Sequence, residues 1–236
     1  MYILRSVLTT LFICIFAIGG FILGITIIPV VSIFSRKGAI AVLRASWIFF
    51  VNALEFFRLI KLEKKNINSN QNGAVIVANH PSLLDIVFLI ASYKNSICIV
   101  KKSLSRNPFL LFIVNRIFIK SNEFDISVID DASKAISQGI NVIIFPEGTR
   151  SDNPKKKIRS GAACIAIHAN CPIVPVKITC NPRILGKQSN PLSVSNRTVL
   201  FTLEQLPEIH PEKINLNYGK NSRLLMQKVI EALNLE

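Results

Sequence analysis

The chain has 236 residues, enough for one ordinary globular domain plus an anchor. Half of its residues are hydrophobic and 18% are charged, more apolar than a typical soluble domain, so a membrane segment is expected. The 28 Lys and Arg against 14 Asp and Glu leave a net charge of +14, which suits an anionic membrane, a phosphorylated substrate or nucleic acid. The five cysteines (Cys14, Cys98, Cys164, Cys171, Cys180) show no CxxC spacing, which argues against a disulfide framework or a zinc site and for reduced thiols.

In chain order, no charge occurs from Ser6 to Phe34, and Arg5, Arg36 and Lys37 flank the run. It is longer than a span needs: a single helix would reach about 44 Å against a hydrocarbon core of about 30 Å. Gly19, Gly20, Gly24 and Pro29 mark where it can bend. It is also too long for the apolar core of a signal peptide. Residues 39–60 are rich in Phe, Leu and Ile but carry Arg44, Glu55 and Arg58, the pattern of an amphipathic helix at an interface. The basic residues Arg36, Lys37, Arg44, Arg58, Lys61, Lys64 and Lys65 follow the span and favour a cytoplasmic position for the rest. The expected division is therefore a membrane anchor over 1–60 and a globular domain over 61–236.

In the second part, apolar runs of strand length alternate with amphipathic stretches. Strands are expected at 74–78, 96–100, 117–119, 140–145, 172–179 and 198–203. Helices are expected at 83–92, at 125–138 (Asp125 as cap, Gly139 as terminator), at 160–169 and at 222–235. Pro175 inside a strand argues for an edge or a bulge. The alternation predicts an α/β fold, a mixed and largely parallel sheet flanked by helices, preceded by the N-terminal helical anchor.

Two segments bring reactive side chains to strand ends. In Asn79-His80-Pro81-Ser82-Leu83-Leu84-Asp85 the His follows a buried strand. Within one regular helix His80 and Asp85 would lie about 140° apart. They meet only if His80 stands outside the helix and folds back over its first turn, where Asp85 can hold one imidazole nitrogen and leave the other as a base. In Phe145-Pro146-Glu147-Gly148-Thr149-Arg150-Ser151 a buried strand delivers Glu, Gly, Thr and Arg into one turn, where Gly permits close approach of a ligand and Arg suits phosphate oxygens.

Together, the NHxxxxD turn and the later FPEGTRS turn resemble the glycerolipid acyltransferase family, notably bacterial 1-acyl-sn-glycerol-3-phosphate acyltransferases. The resemblance covers roughly residues 75–177. It implies that His80 is the general base on an acceptor hydroxyl, that Asp85 orients it, and that no acyl-enzyme forms. It implies acceptor contacts from Glu147, Gly148, Thr149 and Arg150, and Lys101 as a donor to the oxyanion that forms on the thioester carbonyl. The strand Ile173-Val174-Pro175-Val176 matches a further block that shapes a substrate pocket, and Gly161 after Arg159 matches a Lys-x-Gly turn with Arg in place of Lys.

One block departs from the pattern. Where the family has Gly-x-x-Phe-Ile-x-Arg, this chain has Asn115 at the Gly position and Ser121 at the Arg position, with Lys120 or Arg116 as substitute cations. The acceptor is thereby left open between 1-acyl-sn-glycerol-3-phosphate and a lysolipid with another head group, such as a lyso-ornithine lipid. The resemblance implies an acyl thioester donor (acyl-coenzyme A or acyl-carrier protein), a lysolipid acceptor, a membrane location and neither metal nor cofactor.

The residues speak against two other functions. A tethered nucleic-acid-binding protein is suggested only by the charge, but the basic residues are scattered, Trp47 is the lone tryptophan and no recognition motif occurs. A catalytically silent lipid binder is the other, opposed by the intact His80, Asp85 and Glu147. His168 and His210 are read as structural or inert, and three dispersed histidines without HExxH provide no zinc site.

Overall fold

The computed structural model describes residues 2–107, 110–121, 125–148, 158–186, 195–211 and 218–234. The helices are α1 (Tyr2–Ile25), α2 (Ile27–Phe34), α3 (Arg36–Phe56), α4 (Asp85–Ser92), α5 (Leu111–Arg116), α6 (Ile126–Ser137), α7 (Gly161–Ala169) and α8 (Tyr218–Leu233). The strands are β1 (Ile60–Lys65), β2 (Val75–Ala78), β3 (Ser96–Lys101), β4 (Ile119–Ser121), β5 (Asn141–Ile144), β6 (Ile173–Asn181) and β7 (Val199–Gln205).

The apolar run divides at Thr26. Pro29 has no N–H to give the carbonyl of Ile25, and its ring crowds that carbonyl, so α1 ends there. Pro29 then falls in the first turn of α2, where a missing donor costs little. At Gly24 a β-carbon would lie 3.1 Å from Cβ of Phe112, so the glycine lets α1 approach α5 closely. Residues Ile3–Ile25 and Arg36–Phe56 are both long and apolar enough to cross a membrane. One face of α3 is buried through Ala39, Ile40, Leu43, Trp47, Val51 and Leu54, while Phe49 and Phe56 are exposed.

The seven strands form one sheet in the order β1-β7-β6-β2-β5-β3-β4. Every neighbouring pair is parallel except β6 with β7. The crossover from β2 to β3 through α4 moves along the sheet in one direction. Those from β4 to β5 through α6 and from β5 to β6 through α7 move in the other. Right-handed crossovers therefore place α4 on one face and α6 and α7 on the opposite face. α3 packs with α4, and α6, α7 and α8 pack together, giving a helical layer on each side. The central strands β2 and β5 are buried along their whole length, as a covered parallel sheet requires.

The expected strands and helices all appear, with shifted ends in several cases. The predicted strand over 117–119 is observed as β4 over 119–121, and Ile117 caps α5 instead. Asp125 does cap α6, accepting from the N–H of Val128 at 3.1 Å. The helix expected from Leu83 starts at Asp85, so Pro81 lies in the preceding turn. Pro175 is not on an edge, because β6 lies between β7 and β2. Its carbonyl accepts from Leu206 beyond the end of the β6·β7 ladder, and pairing resumes at Ile173 with Ile209, one residue out of step. The bulge therefore lies opposite Pro175, where its missing N–H removes no ladder bond.

Candidate active site

The chain leaves β2 for one face of the sheet and leaves the adjacent β5 for the other. The C-terminal ends of these two strands thus flank a crevice at a topological switch point, the usual ligand site of such sheets. His80 follows β2 and Glu147 follows β5. The two segments meet there: the His80 main-chain N–H donates to the side-chain Oε1 of Glu147 at 3.2 Å.

The turn between β2 and α4 is built around one carboxylate. Asp85 is fully buried as the first residue of α4, and its Oδ2 accepts from the Ser82 N–H at 2.7 Å. The same oxygen lies 2.9 Å from Nδ1 of His80. His80 stands outside the helix and reaches back over its first turn, the arrangement the five-residue spacing requires. An ionised carboxylate only accepts, so Nδ1 carries the hydrogen and the lone pair belongs to Nε2. Nε2 makes no hydrogen bond among the described residues. The imidazole stacks on Phe145 with centroids 4.1 Å apart and planes 18° apart, which fixes the ring's second degree of freedom. This dyad can take a proton from a hydroxyl that approaches Nε2.

Asn79 fastens the turn to the sheet. Its amide donates to the Ile178 carbonyl at 2.8 Å and accepts from the Ile178 N–H at 2.7 Å, occupying both main-chain groups of one β6 residue.

Glu147 is buried, 9% exposed. Burial pushes its carboxyl above the ordinary range; the His80 N–H and the Arg183 guanidinium pull the other way without cancelling the effect. Gly148 has φ +65°, which a side-chain-bearing residue adopts only with strain, and it faces Arg159, whose N–H donates to the Pro146 carbonyl. Thr149 and Arg150 lie outside the described residues.

Lys101 ends β3 at the same edge of the sheet, exposed and in register with Ser121. β5 stands between β3 and β2, so Lys101 begins about 10 Å from β2. Lys120 is turned to Asn115, donating to its Oδ1 at 2.9 Å. The residue at the missing-arginine position, Ser121, therefore lies beside Lys101.

The sequence reading did not single out Arg183 or Phe145. Arg183 is exposed on the loop after β6, close enough to Glu147 and Cys180 to influence both carboxyl and thiol. That loop is tied to the catalytic turn by the Leu83 N–H, which donates to the Leu185 carbonyl at 3.2 Å. No local pattern announces such a residue, because a long-range loop contact delivers it. Phe145 was legible only as the end of an apolar strand. His168 and His210 are exposed and face Asp130 and Glu208 at 3.5 Å and 3.7 Å, away from the turn. All five cysteines are free.

An apolar cavity of about 140 Å³ opens beside the turn. Leu83 and Leu84 line it from the turn, Phe12 and Phe16 from α1, and Phe50 and Leu54 from α3.

Comparison with known proteins gives a consistent result. The acyltransferase family model matches residues 59–179. The chain is 32% identical over 162 residues to the 1-acyl-sn-glycerol-3-phosphate acyltransferase of Helicobacter pylori, covering 63% of this chain and 66% of that one. It is 30% identical over 141 residues to human 1-acyl-sn-glycerol-3-phosphate acyltransferase beta, covering 54% and 50%. The matches thus span from half to just under two thirds of these curated relatives. The crystal structure of the 1-acyl-sn-glycerophosphate acyltransferase PlsC from Thermotoga maritima superposes with a TM-score of 0.67 at 18% identity, over 98% of this chain and 97% of that one, and shares the fold. The matched segment contains β2, the His80–Asp85 turn, β5 and Glu147, and the chain belongs to the acyltransferase family.

Proposed function

We propose that this protein transfers a fatty acyl group from an acyl thioester, acyl-coenzyme A or acyl-carrier protein, to the hydroxyl of a lysophospholipid such as 1-acyl-sn-glycerol-3-phosphate, in phospholipid biosynthesis. The observation that carries the reading is the His80–Asp85 contact at 2.9 Å, with Nε2 left to accept a proton. The names of the relatives supply the substrate class.

In this mechanism the acceptor hydroxyl attacks the thioester carbonyl while Nε2 of His80 takes its proton. Asp85 stabilises the imidazolium that forms. The tetrahedral intermediate collapses, the carbon–sulfur bond breaks, and the proton passes from Nε2 to the departing thiolate. Nothing in these steps calls for a metal or a cofactor. Glu147, Gly148, Thr149 and Arg150 contact the acceptor. Lys101 suits its anionic head group better than the reacting carbonyl, given its two-strand offset, and Arg183 joins it from the loop after β6. Lys120 serves at the rim of the same region. These cations stand in for the arginine that Ser121 replaces, and they leave room for a head group other than phosphate. The apolar cavity beside Leu83 and Leu84 receives an acyl chain.

Residues 1–60 form the anchor and 61–236 the acyltransferase domain in this reading. α1 enters the bilayer, α3 lies at its surface, and the basic residues after the first apolar helix place the domain on the cytoplasmic face.

The test is thioester-dependent acyl transfer in detergent with a panel of lysolipids, for wild type and His80→Ala. Transfer to one lysolipid, reduced about 10²–10⁴-fold in His80→Ala, is expected. Folded wild-type protein that acylates no acceptor from either donor would overturn the proposal.

A further inference from the structure

At the other end of α4 lies a second polar site. α4 begins at Asp85 in the catalytic turn and ends at Ser92, about 10 Å away along its axis. There an open cleft of about 480 Å³ is lined by Arg44 of α3, Lys64 of β1, Asn66 and Ser69 of the following loop, and Ser92, with Ile48 as apolar floor.

Two buried polar atoms in this lining lack a partner. Nε of Arg44 and Oγ of Ser92 are both shielded from solvent and make no hydrogen bond, and Ser92 as a whole is 3% exposed. A serine at a helix end usually bonds back to a carbonyl one turn earlier, and a half-buried guanidinium usually finds a carboxylate. Neither atom finds such a partner among the described residues. No Asp or Glu among them lines the cleft, so the charges of Arg44 and Lys64 at its wall have no counter-charge there. Donors without acceptors, positive charge without counter-charge and room for a small polyatomic group form one pattern.

We infer that the cleft between Arg44, Lys64 and Ser92 is a binding site for a phosphate-class anion, separate from the catalytic crevice. The guanidinium offers hydrogens to a tetrahedral oxyanion, the Ser92 hydroxyl joins it by rotating outward about χ1, and Lys64 adds charge from the rim. A lipid head group and free phosphate share this chemistry. α3 also carries the exposed Phe49 and Phe56, so a phosphodiester at a bilayer surface is within reach of the same helix. The inference does not depend on the proposed acyl transfer.

The test uses the full chain in neutral detergent and follows its melting temperature during titration with inorganic phosphate. Parallel titrations use micelles doped with phosphatidylglycerol or, as control, phosphatidylcholine of the same chain length. Phosphate or phosphatidylglycerol should raise the melting temperature, and Arg44→Gln and Lys64→Gln should each weaken that response about tenfold, the loss of one charge-assisted contact. Without ligand, Arg44→Met should melt at or above wild type, because an apolar side chain of similar volume replaces the unpartnered buried donor. His80→Ala should keep the full response, which separates this site from the catalytic one. A response to phosphatidylglycerol at concentrations where phosphate has none identifies the head group as ligand; equal responses identify free phosphate. Identical titrations for wild type, Arg44→Gln and Lys64→Gln, or an Arg44→Met protein that melts lower without ligand, would overturn the inference.

Discussion

Asp85 serves two neighbours with one oxygen. The Ser82 N–H closes the turn on it and Nδ1 of His80 leans on it, so the group that shapes the loop also sets the tautomer of the imidazole. The HxxxxD spacing was readable in the sequence, together with the geometric condition it imposes. What the sequence could not show was the packing of Phe145 against the imidazole or the approach of Arg183, since both depend on which segments the sheet makes neighbours. Glu147 yields a prediction at this scale. Burial raises its folded-state pKa above the ordinary 4.5, so the ionised form is disfavoured in the fold. Above the raised value the carboxylate costs stability, and the cost fades as pH falls toward the unfolded value. Glu147→Gln should therefore melt above wild type at neutral pH, with the difference closing on acidification toward pH 4.5. Thermal melts across that range check this; a constant or inverted difference would mean that a partner of Glu147 outweighs its burial.

α4 is the element on which both polar sites converge, with Asp85 at its first residue and Ser92 at its last. Its position is set by Phe88, fully buried and edge-on to Phe201 of β7 at 4.7 Å. Phe88→Ala should cost about 3–5 kcal/mol of unfolding free energy, measurable by denaturant titration. A loss below about 1 kcal/mol would show that the site collapses without it. The helix α6 was legible in the sequence because cap and terminator agree with the apolar spacing of Ile126, Ile129, Ala132 and Ile136: Asp125 caps, Ala132 and Ile136 face inward, and Gly139 takes φ +74°, although Ile126 is exposed and Val128 is buried in its stead. The strand β1 escaped the reading because Ile60-Lys61-Leu62-Glu63-Lys64-Lys65 has only two apolar residues, too few for a periodic signal. α5 escaped because six residues fall below the length at which helical periodicity shows. Pro175 was read correctly as a disturbance of pairing but could not be assigned to edge or bulge without knowing that β7 lies beside β6.

Across the whole molecule, the N-terminal helices wall the apolar cavity beside the His80–Asp85 turn. α1 contributes Phe12, Ile13 and Phe16 to the cavity that Leu83 and Leu84 open toward the catalytic turn. If an acyl chain occupies it, Ile13→Trp should shift preference toward shorter chains. The kcat/KM for the longest donors or acceptors should fall about tenfold relative to the shortest, the equivalent of about two buried methylenes. An unchanged chain-length profile would place the acyl chain elsewhere. The composition had already indicated a membrane segment, but not that the same segment would wall a cavity of the domain.

The sheet order also determines how the molecule behaves among its own copies. Among the described residues the seven-stranded sheet has two margins without a neighbouring strand, and each is a template on which another chain could pair. At one margin β4 is only three residues long, too short to nucleate an added strand. At the other, β1 carries Lys61, Glu63, Lys64 and Lys65, so a copy pairing there would set like charges against each other. The low apolar content that hid β1 from a periodicity reading thus keeps a strongly hydrophobic protein from polymerising through its sheet.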